Sequence, residues 1–76
     1  MPSSRTLREI VAEAIRREMG AQRLSGAKLA QAMGKSDMYV SRRLSADTAL
    51  DLDDLQAIAA ELGVPVSRLI PAEVTA

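Results

Sequence analysis

Apolar residues recur along this chain with helical spacing in five separate stretches. Leu7, Ile10, Val11, Ala14, Ile15 and Met19 form one stripe, backed by Arg8, Glu9, Glu13, Arg16 and Arg17 on the other side. Thr6-Leu7-Arg8-Glu9 opens it as a capping box, and Gly20 marks its expected end, with a run to about Ala21 also allowed. Ser25 caps a second, short helix with Leu29, Ala30 and Met33 inward, closed by Gly34 in a left-handed conformation. Ser36 caps a third, with Asp37 in the first turn and Val40 and Leu44 inward. Asp51-x-x-Asp54 starts a fourth, whose stripe is Leu52, Leu55, Ile58, Ala59 and Leu62 and whose stop is Gly63. Pro65 starts a single turn carrying Leu69 and Ile70, and Pro71 ends it, since the residue before a proline avoids the α region.

These spacings predict an all-α fold, a compact five-helix bundle with tight connections. Residues 1–5 read as an N-terminal tail, 6–71 as one domain and 72–76 as a C-terminal tail. At 76 residues the chain is near the lower limit for a self-sufficient core, and it meets that limit with 47% hydrophobic residues. Tyr39 is its one aromatic residue, which disfavours a β-sandwich or barrel.

Composition narrows the chemistry further. Cys and His are both absent, which excludes disulfides, thiolate or imidazole metal sites and triads built on either residue. No nucleophile–base pair is visible, so an enzyme is not expected, and neither is a cofactor, a metal or a small-molecule ligand. No apolar run approaches the roughly 18 residues of a membrane span and no secretory leader precedes the first helix, so a cytoplasmic location is expected. The net charge of zero is unevenly spread. Residues 1–43 hold nine Lys/Arg against four Asp/Glu, and residues 44–76 hold one against six. Such a chain can present a basic face to phosphate while its acidic half points away.

The order "LA…MG.S...VS", followed by "L..IA..LGV", resembles the Cro/CI-type (lambda-repressor-like, XRE family) helix-turn-helix domains. Leu29, Ala30, Gly34, Ser36, Val40, Ser41, Leu55, Ile58, Ala59, Leu62, Gly63 and Val64 carry the likeness, which extends over about residues 6–70. The resemblance implies a five-helix DNA-binding domain with residues 25–44 as the helix-turn-helix pair. It implies a small Cro-like repressor that inserts the helix 36–44 into the major groove of double-stranded DNA, as a homodimer on two half-sites.

On that reading Asp37, Met38, Ser41 and Arg42 face base edges. Arg42 suits guanine O6 and N7, Met38 a thymine methyl and Asp37 cytosine N4. Gly26, Ala27, Lys28, Lys35, Ser36, Tyr39 and Arg43 are the expected phosphate contacts, the first three through helix amides and dipole. The apolar segment Val64, Pro65, Val66, Leu69 and Ile70 is the expected dimer surface, with Val74 a lesser candidate.

Three departures from the family pattern stand out. Gly26 and Asp37 occupy positions where relatives commonly place Gln, and Ala46 stands where Gly is frequent. Met19 and Leu44 replace an Arg–Glu pair and are expected to meet in the core. Asp37, the acidic loop 45–51 ("SADTALD") and the zero net charge also leave a second reading, a protein-interaction or antitoxin-type adaptor that keeps the fold with weak or no DNA binding.

Overall fold

The computed structural model describes residues 5–70, so Pro71, Val74 and most of both expected tails lie outside the described residues. Five helices follow in order: α1 (Leu7–Gln22), α2 (Gly26–Met33), α3 (Asp37–Leu44), α4 (Leu52–Leu62) and α5 (Val66–Leu69). No strand occurs among the described residues.

Local chemistry accounts for most of the helix ends. At α1 the Glu9 N–H donates to the Thr6 hydroxyl at 3.3 Å, and the Thr6 N–H donates to Glu9 Oε1 at 2.7 Å, closing the capping box. That backbone donor, helped by the Thr6 hydroxyl, holds the Glu9 carboxyl below its ordinary pKa. Ser25, Ser36 and Asp51 accept in the same way from the N–H groups of Lys28, Tyr39 and Asp54. Gly34 and Gly63 both take φ of +69° and end α2 and α4.

The first helix does not stop at Gly20. It continues to Gln22 and ends on Arg23, whose φ is +56°. A glycine inside a helix costs only about 1 kcal/mol relative to alanine, which tertiary contacts can override. Here the Gln22 side-chain amide donates to the Leu62 carbonyl at 2.7 Å and holds the last turn against the end of α4.

Val11, Ile15 and Met19 from α1 meet Leu29 and Ala30 from α2, Val40 from α3, Leu55, Ile58, Ala59 and Leu62 from α4, and Leu69 from α5 in one core. Two members of the expected inward stripes face solvent instead. Leu7 is 53% exposed and Leu52 is 81% exposed. Both sit in the first position of their helices, where the stripe overruns the elements available to cover it. They line an open groove with Leu50, Leu55 and Ile70. Leu69, expected on a dimer surface, is fully buried and closes the monomer core, so it offers nothing to a partner. Val64 and Ile70 are half-buried, and Pro65 and Val66 remain exposed.

The loop after α3 turns through Ala46, with φ of +67°. Its N–H donates to the Arg43 carbonyl at 3.2 Å, and the N–H groups of Asp47 and Thr48 both donate to the Arg42 carbonyl. An L-residue in this left-handed region costs roughly 1–2 kcal/mol, while a glycine there gives back about 0.4–1 kcal/mol through the entropy of the unfolded chain. Ala46→Gly is therefore expected to stabilise the fold by up to about 1 kcal/mol. Urea unfolding measures it, and a lowered midpoint would contradict the strain argument.

Candidate nucleic-acid interface

The second helix of the pair, α3, is only eight residues long, and its cap and neighbours set what it can present. Ser36 starts it, Val40 is its one wholly buried side chain, and Leu44 packs half-buried against the core. With Val40 inward, the helical period turns Asp37, Met38, Ser41 and Arg42 outward, and all four are exposed. Met38 is 62% exposed, an apolar side chain with no intramolecular use. The Arg42 side chain makes no hydrogen bond or ion pair among the described residues; only its carbonyl is engaged, in the turn that follows.

α2 packs on α3, and an open groove beside them is lined by Gly26, Ala27, Asp37, Ser41, Leu44 and Ser45, with Arg16 from α1. The structure thus brings together residues from the start of both helices of the pair. Ala27, Lys28, Lys35 and Ser36 are exposed beside this groove or at its end, and Gly26 is half-buried. A second open groove, lined by Ser36, Met38, Tyr39, Arg42, Arg43 and Thr48, runs on the other side of α3.

Two expected phosphate contacts are placed differently. Tyr39 and Arg43, both half-buried, reach toward α4 while still lining this second groove. The Tyr39 hydroxyl donates to Asp54 Oδ2 at 2.6 Å, and Arg43 Nε lies 3.5 Å from the same oxygen. The Arg43 guanidinium stacks on the Tyr39 ring, with Cζ 3.4 Å from its centre, while Nη1 donates to the Tyr39 carbonyl at 3.0 Å. Lys35 Nζ lies 4.8 Å from that ring centre and remains exposed. The physical reason is Asp54. Its side chain is buried beneath α3, and a carboxylate taken out of water draws in the nearest donors.

In the sequence Asp54 stands as part of a helix start, but its spacing carries a further signal: Asp54, Ile58 and Leu62 recur at i, i+4 and i+8, which puts the carboxylate on the inward face. Arg16 falls on the expected solvated side of α1, yet its guanidinium donates to the Leu44 carbonyl. A cation there complements the negative end of the α3 dipole. Met19 lies in the core and Leu44 packs half-buried against it, both apolar, so the directional tie between α1 and the last turn of α3 comes from Arg16 instead.

The bond to Asp54 raises the pKa of the Tyr39 hydroxyl, with burial adding to the shift, because ionisation would set a phenolate against the carboxylate. The group's folded value lies above its unfolded value of about 10. Its contribution to stability is therefore full below about pH 10 and is lost as pH rises through the higher folded value. The stability difference between wild type and Tyr39→Phe should be constant from about pH 7 to 9 and shrink above about pH 10. Denaturant midpoints at each pH measure it, and a difference that grows in alkali would contradict the assignment.

No helix among the described residues is long and apolar enough to cross a membrane. Among curated proteins, none matches this chain. Among solved structures, the crystal structure of the hypothetical transcription factor NHTF from Neisseria is similar. It has a TM-score of 0.82 at 28% identity over 96% of this chain and 86% of that one. A family model for the helix-turn-helix matches residues 15–69, which take in the second half of α1 and all of α2, α3, α4 and α5. With more than half its length matched, the chain belongs to the helix-turn-helix family of the Cro/CI (XRE) type.

Proposed function

We propose that this chain is a sequence-specific, double-stranded-DNA-binding transcriptional regulator, a small Cro-like repressor that places α3 in the major groove. The observation that carries this reading is the outward row Asp37, Met38, Ser41 and Arg42 on a helix anchored from behind by Val40. A recognition helix reads bases with side chains near its N-terminus. Gly26, Ala27, Lys28, Lys35 and Ser36 hold the backbone, with the amides and dipole of α2 directed at a phosphate.

A homodimer on DNA follows from the short reach of one module, with half-sites about one helical turn apart, roughly 34–36 Å between centres. Val64, Pro65, Val66 and Ile70 remain the proposed contact between copies. The expected setting is the bacterial cytoplasm or nucleoid, with no cofactor.

A second reading, an adaptor that keeps the fold and binds protein, is favoured by the exposed Leu7 and Leu52 beside the acidic start of α4. Binding to random genomic fragments over a range of salt separates the two. The regulator binds DNA with log affinity falling linearly in log salt, by about 0.9 for each phosphate neutralised. Absence of any salt-dependent binding would leave the adaptor in its place.

A further inference from the structure

We propose that Asp54, whose own carboxylate is buried, is a positioning residue for sequence reading: acting through Tyr39 and Arg43, it fixes the roll of α3 and so the aim of the base-reading side chains. The proposal rests on the reading of α3 as a recognition helix.

Apolar packing by itself holds α3 weakly against rotation. Val40 is the one fully buried side chain on it, and hydrophobic contact has no preferred direction. Besides the Arg16 guanidinium on the Leu44 carbonyl at its last turn, α3 is held directionally along its next ridge, where Tyr39 and Arg43 stand four residues apart on one face. The Tyr39 hydroxyl donates to Asp54 Oδ2 at 2.6 Å, and Arg43 Nε forms an ion pair with the same oxygen at 3.5 Å without a hydrogen bond, its Cζ held 3.4 Å from the Tyr39 ring centre. Asp54 is 6% exposed and the only buried charged residue among those described. Its N–H is in turn held by Asp51 Oδ1 at 2.6 Å, so the anchor point is rigid on α4.

Geometry makes such an anchor matter. The 39/43 ridge lies beside the 38/42 ridge that carries Met38 and Arg42. Side chains end about 5–6 Å from a helix axis, so a roll of about 10° displaces them by roughly 1 Å. Productive polar contacts tolerate only about 0.5 Å. Arg43 does not leave the cluster for a phosphate, because that would take away the cation that pairs with a buried carboxylate.

This role has a sign opposite to bulk electrostatics. Asp54→Asn removes a negative charge, which by itself strengthens binding to every duplex. Positioning instead requires discrimination to fall. The test is to select a preferred duplex with the wild-type protein from a randomised pool, then measure affinities for it and for a scrambled duplex. Asp54→Asn and Arg43→Lys should lower the selected-to-scrambled ratio by about tenfold, within the discrimination of one bidentate base contact, with binding to the scrambled duplex kept or raised for Asp54→Asn. Tyr39→Phe should move the ratio in the same direction.

The ratio reports aim and not folding, since partial unfolding lowers both affinities in proportion. Should Asp54→Asn not fold, Tyr39→Phe and Arg43→Lys decide the matter. Folded variants that keep the wild-type ratio would overturn the positioning role and leave the DNA reading intact. A wild-type protein with no preference among duplexes overturns both.

Discussion

Leu29→Ala is expected to lower the melting temperature by about 10–30 °C, whereas Leu52→Ala leaves it nearly unchanged. Leu29 is fully buried where α2 meets the core, and Leu52 is 81% exposed. Truncating a buried leucine costs about 2–5 kcal/mol, the lost transfer energy plus the cavity left behind. In a domain of this size each kcal/mol shifts the midpoint by about 4–8 °C. Total stability at this length is on the order of 4–11 kcal/mol, so the loss is a large part of the whole. A surface truncation stays within about 0.5 kcal/mol. The two residues have the same chemistry and both fall on apolar stripes, so the pair isolates burial. Calorimetry on both variants decides it, and comparable losses at the two positions would show that the exposed groove at Leu52 is closed in solution.

Arg42→Ala should remove roughly 1–3 kcal/mol of discrimination at a single base position, the value of a bidentate pairing with guanine. Lys28→Ala and Lys35→Ala should instead weaken binding to all sequences alike and reduce the salt slope by about one unit each. Structure and sequence differ on Arg43 here. Its charge is compensated by Asp54 and its guanidinium is stacked on Tyr39, so its removal should cost selectivity without the change in slope that a phosphate contact gives. Affinities for every single-base variant of a selected duplex, at several salt concentrations, separate the three classes. If Arg42→Ala lowers affinity for all sequences equally, Arg42 holds phosphate and another residue reads the base.

Much of the fold is legible in short stretches of sequence because its determinants are local. Thr6 with Glu9, Ser25, Ser36 and Asp51 each cap the helix they precede, within reach of an amide three residues on. Gly34 and Gly63 stop helices because a left-handed residue is needed there. The family register added the order of the pair and the outward row on α3, since Val40 as the inward residue leaves few choices for its neighbours. Where sequence reading failed, the deciding partner lay far along the chain. Gly20 does not end α1 because Gln22 bonds to Leu62, forty residues away.

What the sequence by itself determined is therefore the set of helices, their caps, the turn between α2 and α3, and the family. The tertiary structure alone decided which apolar residues are covered and which charges are occupied. Leu52 and Leu69 look alike as members of apolar stripes, yet one faces solvent and the other closes the core, because only the meeting of α1, α4 and α5 sets where the interior stops. Tyr39 and Arg43 look like surface contacts on α3, yet they reach toward α4 because it places a buried carboxylate opposite them. Burial and long-range pairing depend on how helices are brought together in space, and no local spacing encodes that.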